Sequence, residues 1–288
     1  MELDLPRQHR LLIPRVIWIA WHQGLEQAPA IVRACIENWQ RCNSSWQVQV
    51  VSHDDWPHYL SRDSLQRYEA LPDLKPAHQA DWLRLQLLIQ HGGVWADATT
   101  LCRQPLDQWL PSYSQQEFFA FSKPGPDRLI SNWFIASSPH HPLTTEWSKR
   151  YEALLLKART KRLKYLQKPI RQFLKKRLRD SPHAARIWCH PLTGSITAHL
   201  HYFSHHYCFA ESLRSHNELQ HIWESIPTIS AVPCHWLQVQ AMEEHSDSDS
   251  TNSYPARSSA PVFKLNRRIN TPEQEAIRQE LQRIHAGF

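Results

Sequence analysis

Between Ala80 and Thr100 the chain reads ADWLRLQLLIQHGGVWADATT, and three charged side chains in it are spaced for chemistry. Asp81 and Arg84 stand three residues apart among Trp82, Leu83, Leu85, Leu87, Leu88 and Ile89, so a helix here is apolar nearly all round and must be buried. A carboxylate and a guanidinium removed from water are costly unless they pair with each other or serve a ligand, and the residues alone leave both readings open. Gly92 and Gly93 then turn the chain sharply into GVWAD. Asp97 falls at the carboxyl end of that short strand, where open α/β sheets place their ligands. It is either a site carboxylate, with the capacity to hold a metal, or an ordinary strand-ending Asp.

Periodicity predicts the elements that must position these groups. RVIWIAW, Arg15 to Trp21, reads as a buried strand, PAIVRACIENWQRC as a helix with Ile31, Cys35 and Trp39 on one stripe, and WQVQVVS as an alternating strand. A loop with Asp54 and Asp55 and a short helical piece from Ser64 to Glu69 lead to a long helix over about Pro76 to His91, with Gly92 at its C′ position. GVWAD, FFAFS and NWFIASS read as further strands, and HPLTTEWSKRYEALLL opens a long helical region. Strands alternating with helices predict an α/β sheet with helices on both faces. From Glu243 to about Ala260 the chain is polar and Ser-rich, which predicts a disordered loop over 243–260. PVFKLNRR then resumes as a strand-like segment, and 271–288 predicts a final amphipathic helix with Thr271 as N-cap and Pro272 at N1.

With 288 residues the chain can form one large domain or two small ones, and one domain over 1–288 is the expectation. No apolar run approaches the roughly 18 to 20 residues needed to span a bilayer. The N-terminal MELDLPRQHR lacks a basic stretch followed by an apolar one, so the cytoplasm is the expected compartment. Six scattered cysteines without a C-x-x-C pair argue against a zinc ribbon and a disulfide framework. With six glycines and one adjacent pair, neither G-x-G-x-x-G nor the P-loop pattern can be written. The G-x-S-x-G elbow of a serine hydrolase is missing as well. His201 and His205 stand four apart, a zinc-capable spacing, but without an H-E-x-x-H pattern or a neighbouring Cys.

The net charge of +6 is unevenly placed: Lys149 to Arg179 holds 13 Lys or Arg against one acid, Glu152, so the rest of the chain is net acidic. Leu156, Leu163, Leu166, Ile170, Phe173 and Leu178 recur there at helical spacing, predicting a basic amphipathic helical segment over 149–186, kinked or broken at Pro169. Such a segment can lie on anionic lipid, pack on the core with a solvated cationic face, or bind nucleic acid; few interleaved aromatics place the last behind the others, and no nucleic-acid partner is expected.

The pattern A-D-W-L-R-x-x-x-L-x-x-x-G-G-V-W-x-D-A-T resembles the core signature of the capsular-polysaccharide-synthesis glycosyltransferases, themselves similar to the D-x-D sugar transferases that include mannosyltransferase-like enzymes and clostridial glucosylating toxins. IPRVIWIAWHQG, NWFIASSPHHPL, HPLTGS and PVFKL resemble further family segments in the same order, so the likeness spans about residues 13 to 266. It implies a GT-A-like, Rossmann-like mixed sheet flanked by helices, with the basic segment as an insertion.

The resemblance also implies a nucleotide-sugar donor, a UDP-sugar first among them, and a divalent cation, manganese or magnesium, anchored by Asp97. A hard, oxygen-preferring cation suits a departing diphosphate, and magnesium typically takes only one or two protein carboxylates. Thr99 stands where D-x-D relatives carry a second acid, so it enters the metal set as a weak hydroxyl ligand, with His235 as a third candidate. By the same resemblance Asp81 and Arg84 contact the donor sugar and its phosphates, Trp21 stacks on the base, Trp95 lies near the ribose, and Asn132 bonds donor or acceptor hydroxyls. Trp18 occupies a position where relatives often carry His, so no histidine chemistry is carried over to it. Trp21, Trp95 and Asn132 read equally simply as packing and capping residues.

The expectation is a hexosyltransferase, retaining by resemblance, that builds capsule, O-antigen or lipopolysaccharide on a glycan or lipid-linked acceptor, with peripheral contact with anionic membrane. A transferase acting on protein, or a non-catalytic membrane-associated scaffold whose site has decayed with the loss of the second acid, remains open beside it.

Overall fold

The computed structural model describes residues 12–157, 164–190, 192–193, 201–238, 259–266 and 277–284, with backbone alone over 164–168. Its centre is β1 (Val16–Ala20), whose Ile17 and Ile19 are fully buried. This strand pairs in parallel with β2 (Gln47–Val51) on one side and with β3 (Gly93–Ala96) on the other. Helix α1 (Ala30–Cys42) makes the crossover between the first two. Between β2 and β3 lie the short α2 (Trp56–Tyr59), α3 (Arg62–Glu69), started by the Ser61 hydroxyl accepting from the Ser64 amide, and α4 (Pro76–His91). A short β4 (Thr100–Cys102) and α5 (Leu106–Tyr113) follow, then β5 (Phe118–Gly125) and β6 (Arg128–Ser137). β6 lies antiparallel to β3, giving the order β2-β1-β3-β6-β5, the mixed α/β sheet flanked by helices that the sequence implies.

Alternation along the strands splits the core in two, because successive side chains leave opposite faces of a sheet. Ile17, Ile19, Val94, Ala96 and Phe134 face α1 and the small β4 sheet. Trp18, Trp95, Phe118 and Ile135 face α4, α6 (Pro142–Lys157) and a later helix, α9 (Ser204–Ser215). α4 is therefore covered on nearly every side, as its composition requires. All six cysteines are free.

The basic segment differs from its reading in one respect. α7 (Lys164–Arg177) runs through Pro169 without breaking, since one lost backbone hydrogen bond is carried by flanking strong helix formers. Leu178 packs against Trp188 of α8 (Ala184–Trp188), but Ile170 and Phe173 are 41% and 67% exposed. α10 (Asn217–Ser225) leads to a 3-10 turn, Val232–His235, and β7 (Val262–Lys264) pairs antiparallel with β4. Of the expected 243–260 loop, 243–258 lie outside the described residues, as do Thr271 and Pro272. Residues 277–284 are helical, α11, with Ile277 and Ile284 buried. Among the described residues no helix is long and apolar enough to cross a membrane.

The two glycines that separate α4 from β3 are there for space as well as conformation. Gly92 (φ 65°) caps α4, its amide donating to the Leu88 carbonyl, while its own carbonyl accepts from the Trp18 indole at 2.9 Å. Gly93 (φ 97°) lies so close to β1 that a Cβ would stand 2.5 Å from Val16 Cγ1 and 2.6 Å from the Val16 carbonyl oxygen. Positive φ and a backbone collision act together there, so Gly93→Ala should destabilise the fold by about 3 kcal/mol in denaturant unfolding. A loss below about 0.5 kcal/mol would mean that β3 does not approach β1 in this way.

Candidate functional site

The carboxyl ends of β1, β2 and β3 point to one edge of the sheet because the three strands run parallel. Trp21, Ser52 and Asp97 immediately follow those ends. The Trp21 amide donates to the Val51 carbonyl at 3.0 Å and the Asp97 amide to the Trp133 carbonyl at 2.8 Å, so sheet bonding fixes both positions. Trp21 is half-buried at the margin of the α1-side core. Beside it a cavity of about 480 Å³ opens, lined among others by His22, Gly24, Ser52 and Asp54.

A buried chain of charges underlies this edge. Asp81 and Arg84, one turn apart on α4, pair at 3.1 Å, and their side chains are only 8% and 5% exposed. Arg84 also donates to the Asn132 carbonyl at 2.6 Å and reaches Asp97 Oδ1 at 3.3 Å. Asn132 Nδ2 donates to Asp81 Oδ1 at 2.8 Å, so α4 and β6 grip the same carboxylate. Of the two readings of Asp81 and Arg84, the structure shows the local ion pair, and the pair continues to Asp97. Trp95 takes a different part from the one near the ribose. At 1% exposure it offers no face to a ligand; its indole donates to Asp97 Oδ1 at 3.0 Å and its ring lies 5.1 Å from the Arg84 guanidinium. It orients the carboxylate.

The remaining oxygen of Asp97 receives a partner from far along the chain. Lys264 Nζ, 167 residues away in sequence, donates to Asp97 Oδ2 at 3.1 Å and to the Thr99 hydroxyl at 2.9 Å. Burial by itself would raise the Asp97 carboxyl, but Lys264, Arg84 and the Trp95 indole outweigh it and hold the group below the ordinary carboxylate range. His235 does not join the set: its Nδ1 lies 2.9 Å from Gln238 Oε1 and its ring meets Trp133 edge-on. Lys264 is a member of this cluster that residue types alone did not bring forward, and the buried His205, read in the sequence only for its spacing to His201, joins it. His205 Nδ1 lies 3.3 Å from Asn132 Nδ2 and 3.9 Å from Asp81 Oδ1. His201 stands outside α9, stacked on Trp188 and Tyr207, so it does not form a ligand pair with His205.

These donors do not fit a divalent cation. Both oxygens of Asp97 are engaged, two cationic side chains already flank it, and Thr99 contributes a hydroxyl that is itself bonded to Lys264. Two unit charges 4 Å apart near a protein surface interact by roughly 4 kcal/mol, and a divalent ion facing the ammonium doubles that repulsion. Among the described residues no group of three or more His, Cys, Asp or Glu is placed to hold a metal.

Two members of this network keep a buried nitrogen without a hydrogen-bond partner among the described residues, Arg84 Nε and His205 Nε2; other such atoms, among them Trp21 Nε1, Trp133 Nε1, Trp109 Nε1 and Arg150 Nε, are spread through the fold. Natural folds seldom leave such atoms orphaned, so the free nitrogens of Arg84 and His205 are groups a polar ligand could satisfy.

The α/β sheet carries its charged cluster beyond the parallel strand ends, the edge at which open α/β sheets place their ligands. The model of the capsular polysaccharide synthesis protein family matches residues 2–181, and the chain belongs to that family. It is similar to the O-glycosyltransferase braB of Annulohypoxylon truncatum, 24% identical over 168 residues that cover 52% of this chain and 40% of that protein. It is similar also to the initiation-specific alpha-1,6-mannosyltransferase of Candida albicans, 23% identical over 164 residues, 52% of this chain and 39% of that protein. The chain thus spans about two fifths of the length of these relatives. Among solved structures, the PaToxG glycosyltransferase overlaps 70% of this chain and 87% of its own at 13% identity, with a TM-score of 0.40.

Burial holds both histidines at the start of α9 neutral. It lowers His206 to about 3, with Arg128 and Arg84 adding to the effect, and it lowers His205 well below its ordinary value, with Arg84 adding again. An unfolded histidine takes up its proton near pH 6.5, whereas these two stay unprotonated in the fold, so the unfolded state binds more protons below that pH. Their contribution to stability is complete above about pH 6.5 and is lost as pH falls toward their folded values. Unfolding free energy should fall by about 1.4 kcal/mol per pH unit for each of them between about pH 6 and 4, and His206→Phe should reduce the slope. Equal slopes in the two proteins would show that His206 is not held neutral.

Proposed function

We propose that the chain is a glycosyltransferase that moves a sugar from a nucleotide-sugar donor, a UDP-sugar in the reading we favour, to a hydroxyl of a glycan acceptor. The observation that carries this is the buried Asp81, Arg84 and Asp97 network beyond the parallel strand ends, in which Arg84 Nε has no hydrogen-bond partner among the described residues. Family membership and the glycosyltransferase names of the relatives support it. In this reading the cavity beside Trp21 takes the nucleoside and the edge formed by Arg84 and Asp97 takes the diphosphate and sugar. During transfer the bond between the anomeric carbon and the diphosphate breaks, its electron pair staying with the diphosphate, and the acceptor hydroxyl oxygen forms the new bond to that carbon and passes its proton to the departing diphosphate. Preorganised cations beside the departing diphosphate are the main catalytic resource such a site offers. Asp97 keeps them in place, with Asp81 and Asn132 behind it.

The acceptor in this proposal is a surface glycan under assembly, of the kind the family description names, rather than a protein. Asp97→Ala should abolish transfer from a labelled nucleotide sugar to lipid-linked glycan fractions while its circular dichroism stays native. Unchanged transfer would remove this site from the reaction, and label appearing only in protein fractions would redirect the proposal to a protein-modifying transferase.

A specific observation supports a membrane-peripheral placement as part of this reading. Ile170 and Phe173 are exposed one turn apart on α7, beside Arg171, Lys175 and Lys176, which suits a helix lying on anionic lipid. Phe173→Glu should reduce co-sedimentation with phosphatidylglycerol vesicles by about tenfold, with neutral vesicles binding neither protein. Equal recovery of both proteins with the anionic vesicles would exclude this face of α7 as the contact.

A further inference from the structure

We propose that Lys264 supplies, as a fixed ammonium beside Asp97 and Thr99, the positive charge that meets the donor diphosphate, so that nucleoside diphosphates bind this chain without a divalent cation. The inference rests on the nucleotide-sugar reading above and concerns which charge that reading requires. In a metal-dependent site the order is carboxylate, cation, phosphate. Here the carboxylate is Asp97 and the cation beside it is already covalently part of the chain.

The position of Lys264 is set by backbone on both sides of it. It pairs with Thr100 across the β4–β7 ladder, and the next amide, Leu265, donates to the Thr99 carbonyl at 2.9 Å. The preceding Phe263 is fully buried, with the Arg103 guanidinium 4.5 Å from its ring. An ammonium carries three N–H donors; among the described residues Asp97 and Thr99 accept two of them, and the third is the one offered to a phosphate oxygen. The Lys264 side chain is 17% exposed and that of Asp97 26%, so the pair is reachable from solvent yet enclosed enough for charge to act strongly. Arg84 approaches Asp97 from its other oxygen, so the carboxylate holds two cations at the edge where the diphosphate would lie.

Thr99 makes sense within the same arrangement. A second acid at that position would add a negative charge and invite a divalent ion, whereas a hydroxyl accepts one hydrogen bond from the ammonium and adds no charge. The departure from D-x-D and the lysine on β7 therefore complement each other. They come from opposite parts of the chain, since Lys264 lies outside the span 2–181 matched by the family model.

Calorimetry of the full chain with UDP, GDP and dTDP, each in chelator and again with manganese, tests this without any variant. The expected result is binding of at least one of them with affinities that agree to within about threefold in the two conditions. Lys264→Met should weaken that nucleotide by about tenfold or more while leaving the corresponding nucleoside unchanged, and Lys264→Arg should recover part of the loss. Binding that vanishes in chelator and returns with manganese would overturn the inference and leave the glycosyltransferase proposal intact. Absence of binding by all three nucleotides in both conditions would overturn both.

Discussion

The ion pair between Asp81 and Arg84 is the constraint from which the rest of the site follows. Removing one charge of a buried pair leaves the other stranded, at a cost of several kcal/mol, so the two residues must be kept together and supplied with further partners. Asn132 and Asp97 supply them on one side, and His205, neutral at 3.9 Å, fills the space on another. Because Asn132 sits on β6 and Asp97 directly follows β3, the pair ties α4 to two adjacent strands. A helix that is apolar on almost every face has its rotation fixed by these two polar positions, and the strand ends have their carboxylate aimed by the helix.

The glycine pair makes this geometry attainable. α4 must end and β3 begin within two residues if Arg84 on the helix is to reach Asp97 just beyond the strand, 13 residues later. Both turn residues take positive φ, and both lie where a side chain would meet Pro14, Pro139 or Val16. The stretch from Asp81 to Asp97 is thus one mechanical unit: a buried charge pair, a turn that only glycine can make, and a strand short enough to leave its final carboxylate at the edge.

Much of this unit was legible in the sequence because its signals are local. Helical period, the Pro76 start and the Gly92 stop placed α4 at its observed limits, and the strand after Gly93 put Asp97 at a carboxyl end. The three-residue spacing of Asp81 and Arg84 offered their pairing as one of two readings, and the structure shows it. What remained hidden depends on contacts between distant segments. β4 has three residues and α5 carries Pro111, so neither offers enough period or propensity to be read. Trp95 could be placed on a strand, but its role follows from which face of the strand meets α4. The antiparallel direction of β6 and the partner of PVFKL are likewise settled by packing across the sheet, so Lys264 could be seen as a strand residue without any sign of the carboxylate it would meet.

That last contact changes what the acidic position means. A carboxylate read alone at a strand end asks for a cation, and the usual source is solution. Here β4 follows Asp97 almost at once, and β7 pairs with β4, so the register that aligns Thr100 with Lys264 also carries the ammonium to Asp97 and Thr99. β4 is itself anchored to α1, where the Trp39 indole bonds Thr100 and Asn38 exchanges hydrogen bonds with the Cys102 backbone. The same α1 packs against β1 and β3 in the core, so the pieces that place Lys264 are those that hold the sheet together. The charge opposite Asp97 is therefore a property of the folded chain, present whenever the sheet is formed and independent of what ions the solution contains.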